Sequence, residues 1–441
     1  MKFNYLDKKD KKLSGIIKKE IKRQEETLDL IASENLAPKG VLEALGSPLV
    51  NKYSEGYPGV RYYPGNKFYD EIEILAQERA LKAFQLKLEE WGVNVQPYSG
   101  SPANLAVYMA LIQPGDMIMG MKLSSGGHLT HGHKASATGK FFQSVQYGVR
   151  DDGRINYDEI LKLAIEHKPK IIITGATAYP REIDFKKLGE IAKKVGAYHV
   201  ADISHIAGLV AAGEHLSPFP YADVVTMTTQ KTLRGPRGAV IFARKKLIKT
   251  DSRVSGNEKK DSKSEKGKKN KKEETIFDRK NKAVFPGLQG GPHNNQTAAI
   301  AYMFLEAAKP EFKRIQKQII KNAAVLAEKL KEKDFNLVTG GTDNHLILID
   351  VRNFGLDGWE AEHLLEDIGI VANRNSVPGD DKPFHPSGIR MGTAFLSSRG
   401  MKEKEMKKIA DIIFRRLVHK EAAEKLKKEV FVLCKNFPLE Y

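Results

Sequence analysis

The chain predicts an α/β fold: a mainly parallel sheet covered by helices on both faces, with a smaller α/β domain at the C-terminal end. Two observations carry that expectation. Apolar runs near 117–121, 143–149, 171–174, 197–203, 222–228 and 239–243 are separated by helical stretches such as 102–112, 156–167 and 184–195. Strands alternating with helices of this length argue for parallel pairing, with the crossovers lying on the sheet faces. From about residue 296 the pattern changes to long helices with two short apolar runs, at 345–351 and 369–373. At 441 residues the chain is long enough for two such units.

The elements follow in order. Residues 8–30 read as a lysine-rich amphipathic helix with Ile16, Ile17, Ile21, Leu28 and Leu30 as a sparse apolar stripe. Residues 31–65 are rich in Gly, Pro, Asn and Tyr, which predicts an extended segment dominated by loops. A helix is expected over 67–91, and the alternation begins beyond it. The stretch 251–275 has almost no apolar content to offset the entropy of ordering, so a flexible surface insertion is expected there. The second unit should hold a long helix near 296–333, strands at 345–351 and 369–373, and helices near 358–367, 402–417 and 420–434. The expected division is an N-terminal arm over 1–54, a large domain over 55–295 and a small domain over 296–441.

Composition narrows the class. A hydrophobic fraction of 41% with 29% charged residues describes an ordinary globular chain. The single cysteine, Cys434, excludes an intramolecular disulfide and a thiolate metal cluster. The N-terminal stretch MKFNYLDKKDKKL is charged from the outset, and no apolar run approaches the roughly 20 residues that span a bilayer. A cytoplasmic protein without a membrane partner is expected. The net charge of +17 invites a nucleic-acid reading. Its distribution argues against one: residues 1–24 hold nine basic and three acidic side chains, and 251–275 hold nine and six with no aromatic residue for base stacking. A solvated basic surface is the expectation.

Chemistry concentrates at Asp202 and Lys231, in VADISHIAGL and VVTMTTQKTLRGPRG. A carboxylate ending one strand and a lysine just past the next suit pyridoxal phosphate: the lysine forms a Schiff base and the carboxylate keeps the pyridine nitrogen protonated. An opposite charge in contact shifts a pKa by about 1–3 units, enough to hold that proton at neutral pH. Ser99, Gly100 and Ser101 open a helix and offer hydroxyls and free N–H groups to a phosphate, and Gly290 and Gly291 allow close approach from a second segment. His128, beside Gly126 and Gly127, is a candidate to stack on the ring, whereas His131 is read as structural. His205 lies within reach of Asp202. Glu55 sits among Tyr53, Tyr57, Tyr62 and Tyr63, where a partly buried carboxylate suits proton transfer. Arg390, in HPSGIRMGT, is the candidate for a substrate carboxylate.

The motifs IASEN, NKYSEGYPGVRYY, SGSPAN, GGHLTHG, ADISHIAGL, TTQKTLRGPRG, AVFPGLQGGP, TDNHL and SGIRMGT occur in this order. Together, over roughly residues 24–415, they resemble serine hydroxymethyltransferase. The resemblance implies a fold-type I enzyme with a seven-stranded type of large-domain sheet, working as a homodimer or a dimer of dimers. It implies pyridoxal 5'-phosphate as cofactor and tetrahydrofolate as co-substrate in the interconversion of serine and glycine. By motif, Lys231 is the cofactor lysine, Asp202 the pyridine partner and His128 the stacking residue. Ser99, Gly100 and Ser101, with Gly290 and Gly291 from a neighbouring subunit, would hold the phosphate. Thr177 and His205 fall on the cofactor's oxygen side, and Tyr53 reaches across the dimer. Ser33 and Arg390 would bind the substrate carboxylate, with Tyr63 lining the site and Glu55 managing the hydroxyl proton. Leu123, Gly127, Leu129 and Asn375 match folate-binding positions.

Two departures stand out. Gln230 occupies the place where the family usually has histidine, and the insertion 251–275 has no counterpart in most relatives. The rival readings are a folate-independent aldolase built on the same Lys231 and Asp202, and a basic RNA-binding protein.

Overall fold

The computed structural model describes residues 3–247, 274–380 and 385–439. Seven strands form the main sheet, in the order Trp91–Asn94, Ala239–Arg244, Val224–Thr228, Tyr198–Asp202, Ile171–Thr174, Met117–Met121 and Gln143–Tyr147. The last five are parallel, and Ala239–Arg244 runs antiparallel to both its neighbours.

Both faces of this sheet are buried, which is why its strands read as unbroken apolar runs. Alternate residues point to opposite faces. Ile171 and Ile173 join a core with Ala103, Val107 and Tyr108 of the helix Gly100–Leu111. Ile172, Ala201, Val225 and Phe242 face the other way, toward Leu188, Ile191, Ala207 and Phe304.

A four-stranded antiparallel sheet follows, in the order Asn336–Leu337, Leu346–Asp350, Gly388–Gly392 and Asn373–Asn375. Ile347, Ile349, Ile389 and Met391 pack there with Leu326, Leu330, Ile409 and Ile413.

Four expectations are corrected. The N-terminal helix ends at Glu26, and Leu28 and Leu30 are buried in the core of the second sheet instead of extending the helical stripe. Leu28–Asp29 pairs in parallel with Ile370–Val371, so the run at 369–373 supplies two short strands in different sheets. The helix expected over 67–91 stops at Ala83, and Trp91–Asn94 becomes the sheet edge. The helix expected over 296–333 is two, Asn294–Ala307 and Pro310–Lys331, because Pro310 lacks the N–H a continuous helix needs. Of the expected insertion 251–275, residues 251–273 lie outside the described residues; Thr275 caps the helix Ile276–Lys282. Among the described residues, no helix is long and apolar enough to cross a membrane.

Candidate active site

The site forms where the parallel strands end. Asp202 closes Tyr198–Asp202, and Thr228 closes the adjacent Val224–Thr228, with Lys231 three residues on. Lys231 Nζ donates to Thr228 Oγ1 at 2.8 Å, and its carbonyl accepts from Asn35 Nδ2 at 3.0 Å. The IASEN segment thereby holds the lysine backbone from the far side. Burial is the larger influence on the Lys231 amine and pushes its pKa down to about 8, against the pull of Asp202.

Lys231 opens into a partly open cavity with about 300 Å³ of empty space, including its mouth. Gly100, His128, Thr177, Asp202 and His205 line it with Lys231, together with His131, Ala176, Ser204 and Thr228. Six sequence candidates therefore meet in one space. Glycine is needed at Gly100 in this wall and at Gly127, just before His128. A Cβ on Gly100 would sit 2.7 Å from Thr228 Cγ2, and a Cβ on Gly127 would strike the Met121 carbonyl.

The electrostatics are those of a buried charge with prearranged donors. Asp202 Oδ1 accepts from Ser204 N at 3.0 Å; Oδ2 accepts from Asn104 Nδ2 at 2.9 Å and His131 Nε2 at 3.2 Å. Burial is the largest single influence and works to raise the Asp202 pKa, but the contacts with His131, His128 and Ser204 together outweigh it and hold the carboxyl well below the usual range. Each oxygen has two acceptor sites, so Oδ1 keeps one free for a ring N–H. His128 is neutral at physiological pH, because burial pushes its pKa down to about 4. Burial likewise drives His205 well below its ordinary value; its Nδ1 lies 3.4 Å from His345 Nε2.

His131, read from sequence as structural, contacts Asp202 directly. In the turn Leu129–His131 its ring accepts the His128 N–H while the His128 ring accepts from Thr130 N, so two histidine rings cap one short turn. Asn104 escaped sequence reading altogether. The spacing of the histidines in GGHLTHG was the available signal for His131.

The phosphate end also fits. Ser99 precedes the helix Gly100–Leu111, and its side chain makes no cap, which leaves the hydroxyl and the first-turn N–H groups of Gly100 and Ser101 for an anion.

Arg390 lies at the rim, on the strand Gly388–Gly392. Its Nη1 donates to the Thr177 carbonyl at 2.8 Å and its Nε to Asn373 Oδ1 at 3.1 Å, which fixes the fork's orientation. Nη2 has no protein acceptor among the described residues. Burial pushes the guanidinium down to about 10, so it stays charged near neutrality. Ser33 follows Ala32, which packs against Gly392 so closely that a Cβ there would sit 2.5 Å from Ala32 Cα. Asn375 pairs with Gly388 on the adjoining strand. Leu123 and Leu129 are exposed on either side of Gly127 and His128.

Five candidates stand apart from this cavity. Tyr53, Gly290 and Gly291 line a second recess with Lys52, Tyr98 and His293, and no residue lines both. Glu55 Oε1 lies 3.1 Å from the place a Gly290 Cβ would take, and the Tyr63 ring is 5.5 Å from that of Tyr53. Tyr53 is 58% exposed.

The serine hydroxymethyltransferase family model matches residues 6–413. That span covers nearly the whole chain, including every residue named above at the two recesses. The chain belongs to the serine hydroxymethyltransferase family, whose members use pyridoxal phosphate and tetrahydrofolate to interconvert serine and glycine.

Proposed function

We propose that the Lys231 cavity is the centre at which this chain carries out that reaction. The observation that carries the reading is one cavity lined by Lys231, Asp202, His128, Thr177, His205 and Gly100. When bound, pyridoxal phosphate supplies an electron-accepting ring that stabilises negative charge at the substrate Cα.

The chain's own residues do the rest. Lys231 holds the cofactor through its amine, which burial keeps close to the neutral, nucleophilic form. Asp202 keeps a proton on the ring nitrogen. The neutral His128 ring forms a flat wall for stacking. Ser99, Gly100 and Ser101 take the phosphate at a helix N-terminus. Thr177 and His205, in the same lining, would help to hold the cofactor. Gln230 Oε1 is buried without a protein partner.

Arg390 binds the serine carboxylate through its free Nη2, aided by Ser33. Glu55 holds and returns the proton of the serine hydroxyl, and Tyr63 closes the site beside it. Leu123, Gly127, Leu129 and Asn375 receive the folate.

The separation of the two recesses supports a homodimer, or a dimer of dimers, with shared sites. Tyr53, Glu55, Tyr63, Gly290 and Gly291 of one subunit then complete the Lys231 cavity of another. The chain divides, in this reading, into an arm to residue 54, a cofactor domain to 295 and a smaller domain from 296, with the helix Asn294–Ala307 packed back on the larger core. The lone, buried Cys434 supports a reducing, cytoplasmic setting.

Glycine release from L-serine, with and without tetrahydrofolate, tests the proposal. Folate-dependent release is expected. Equal release without folate would place this site in the aldolase branch.

A further inference from the structure

Asn104 lies in the helix Gly100–Leu111 and is 1% exposed. Its Nδ2 donates to Asp202 Oδ2 and to Thr130 Oγ1, each at 2.9 Å, and its Oδ1 accepts from Thr226 Oγ1 at 2.7 Å. An ionised carboxylate only accepts, so the amide group facing Asp202 is the NH2. This orientation propagates. Thr130 N donates to His128 Nδ1 at 3.2 Å, which makes Nδ1 an acceptor. The Thr130 hydroxyl, receiving one amide proton, turns its own onto the same Nδ1 at 2.7 Å. The His128 proton therefore sits on Nε2.

On the other side, His131 Nε2 donates to Asp202 Oδ2 at 3.2 Å, which leaves its Nδ1 to accept the His128 N–H at 3.3 Å. His128, His131, Asp202, Asn104 and Thr130 thus close a ring of hydrogen bonds. The charge on Asp202 and the backbone N–H groups of His128 and Thr130 set the directions of its bonds.

We propose that Asn104 is a positioning residue for the reaction: one amide fixes the Asp202 carboxylate and, through the Thr130 hydroxyl, reinforces the orientation of His128, whose tautomer the Thr130 backbone N–H already sets. The proposal rests on the reading that Asp202 and His128 flank the cofactor ring. Buried polar networks of this kind rigidify a site when their members are satisfied, and here every donor but the His128 Nε2–H has its acceptor among the described residues. Removing Asn104 loosens two sides of the ring pocket at once. Removing the Thr130 hydroxyl loosens one.

Neutron diffraction from holoenzyme crystals reads the tautomers directly. Deuterium is expected on Nε2 and not on Nδ1 of both His128 and His131; deuterium on His128 Nδ1 overturns the proposal. In solution, Asn104→Ala should lower kcat by about 10–100-fold with little change in the KM for serine, the cost typical of an orienting partner. Thr130→Val, which leaves the Asn104–Asp202 bond intact, should lower kcat less, and Thr130→Ser should restore it. A folded, cofactor-loaded Asn104→Ala or Thr130→Val enzyme with unchanged kcat contradicts the proposal. Failure of the underlying reading looks different: Lys231→Ala would then keep the absorbance of bound cofactor, whatever the tautomers.

Discussion

Arg390 Nη1 donates to the carbonyl of Thr177 at 2.8 Å, and that bond joins the antiparallel sheet to the wall of the Lys231 cavity. The guanidinium fork proposed to bind substrate is thus oriented by the same backbone that borders the Lys231 cavity. A lysine at this position would keep the charge and lose the fork. Arg390→Lys is expected to raise the KM for serine by about 10–150-fold, the equivalent of one charge-assisted hydrogen bond of about 1.5–3 kcal/mol. Steady-state kinetics at saturating folate measure it, and an unchanged KM would remove Arg390 from carboxylate binding.

The Lys231 amine reacts with the cofactor aldehyde only when unprotonated. With its pKa pushed to about 8, the rate of cofactor uptake by the cofactor-free protein should climb about tenfold per pH unit below pH 8 and level off above it. Stopped-flow absorbance follows this directly. A rate still climbing beyond pH 10 would mean that burial does not set the amine's acidity.

The proposed sharing of sites between subunits makes a mixing prediction. Lys231→Ala and Glu55→Gln subunits should each be inactive as homodimers. Random pairing of the two should recover about a quarter of wild-type activity, because half of the pairs are hybrids with one intact site each. No recovery from proven hybrids would place Lys231 and Glu55 in the same subunit's site.

Lys280 is a buried cation outside the reaction. It is 1% exposed, with Nζ 2.8 Å from Asn281 Oδ1 and 4.2 Å from the centre of the Phe277 ring. Burial drives its pKa well below the ordinary lysine value. The unfolded chain therefore binds this proton more tightly than the folded one, and stability rises with pH from the folded pKa up to about 10.5. Lys280→Met should stabilise the protein near neutrality by about 1–4 kcal/mol, since Asn281 Oδ1 retains its bond from Asn94. The gain should shrink toward pH 10.5. Denaturant titrations at pH 7 and 10 decide it; a less stable methionine variant at pH 7 would show that the lysine is a net support.

The parallel sheet was legible because strands buried on both faces, such as Ile171–Thr174, stand out as apolar runs between helices. The positions of Asp202 and Lys231 were legible for the same reason: one closes a strand that the periodicity locates and the other follows the next. Trp91–Asn94 was not, since a four-residue edge strand close behind a helix offers no alternation of its own. The strand Gly388–Gly392 escaped because glycine at both ends reads as loop. Leu28 and Leu30 looked helical because their spacing continues the stripe, and only pairing with Ile370–Val371 overrides it. Asn104 carries no local signal. Its partners Thr130, Asp202 and Thr226 lie 26, 98 and 122 residues away in sequence.

The central claim is that Lys231 is the residue that carries the cofactor. Borohydride reduction of the holoenzyme freezes the bond between lysine and cofactor, and peptide mapping then locates the phosphopyridoxyl group. The account predicts a single labelled peptide, carrying the group on Lys231. A label on any other lysine, with Lys231 unmodified, would contradict it.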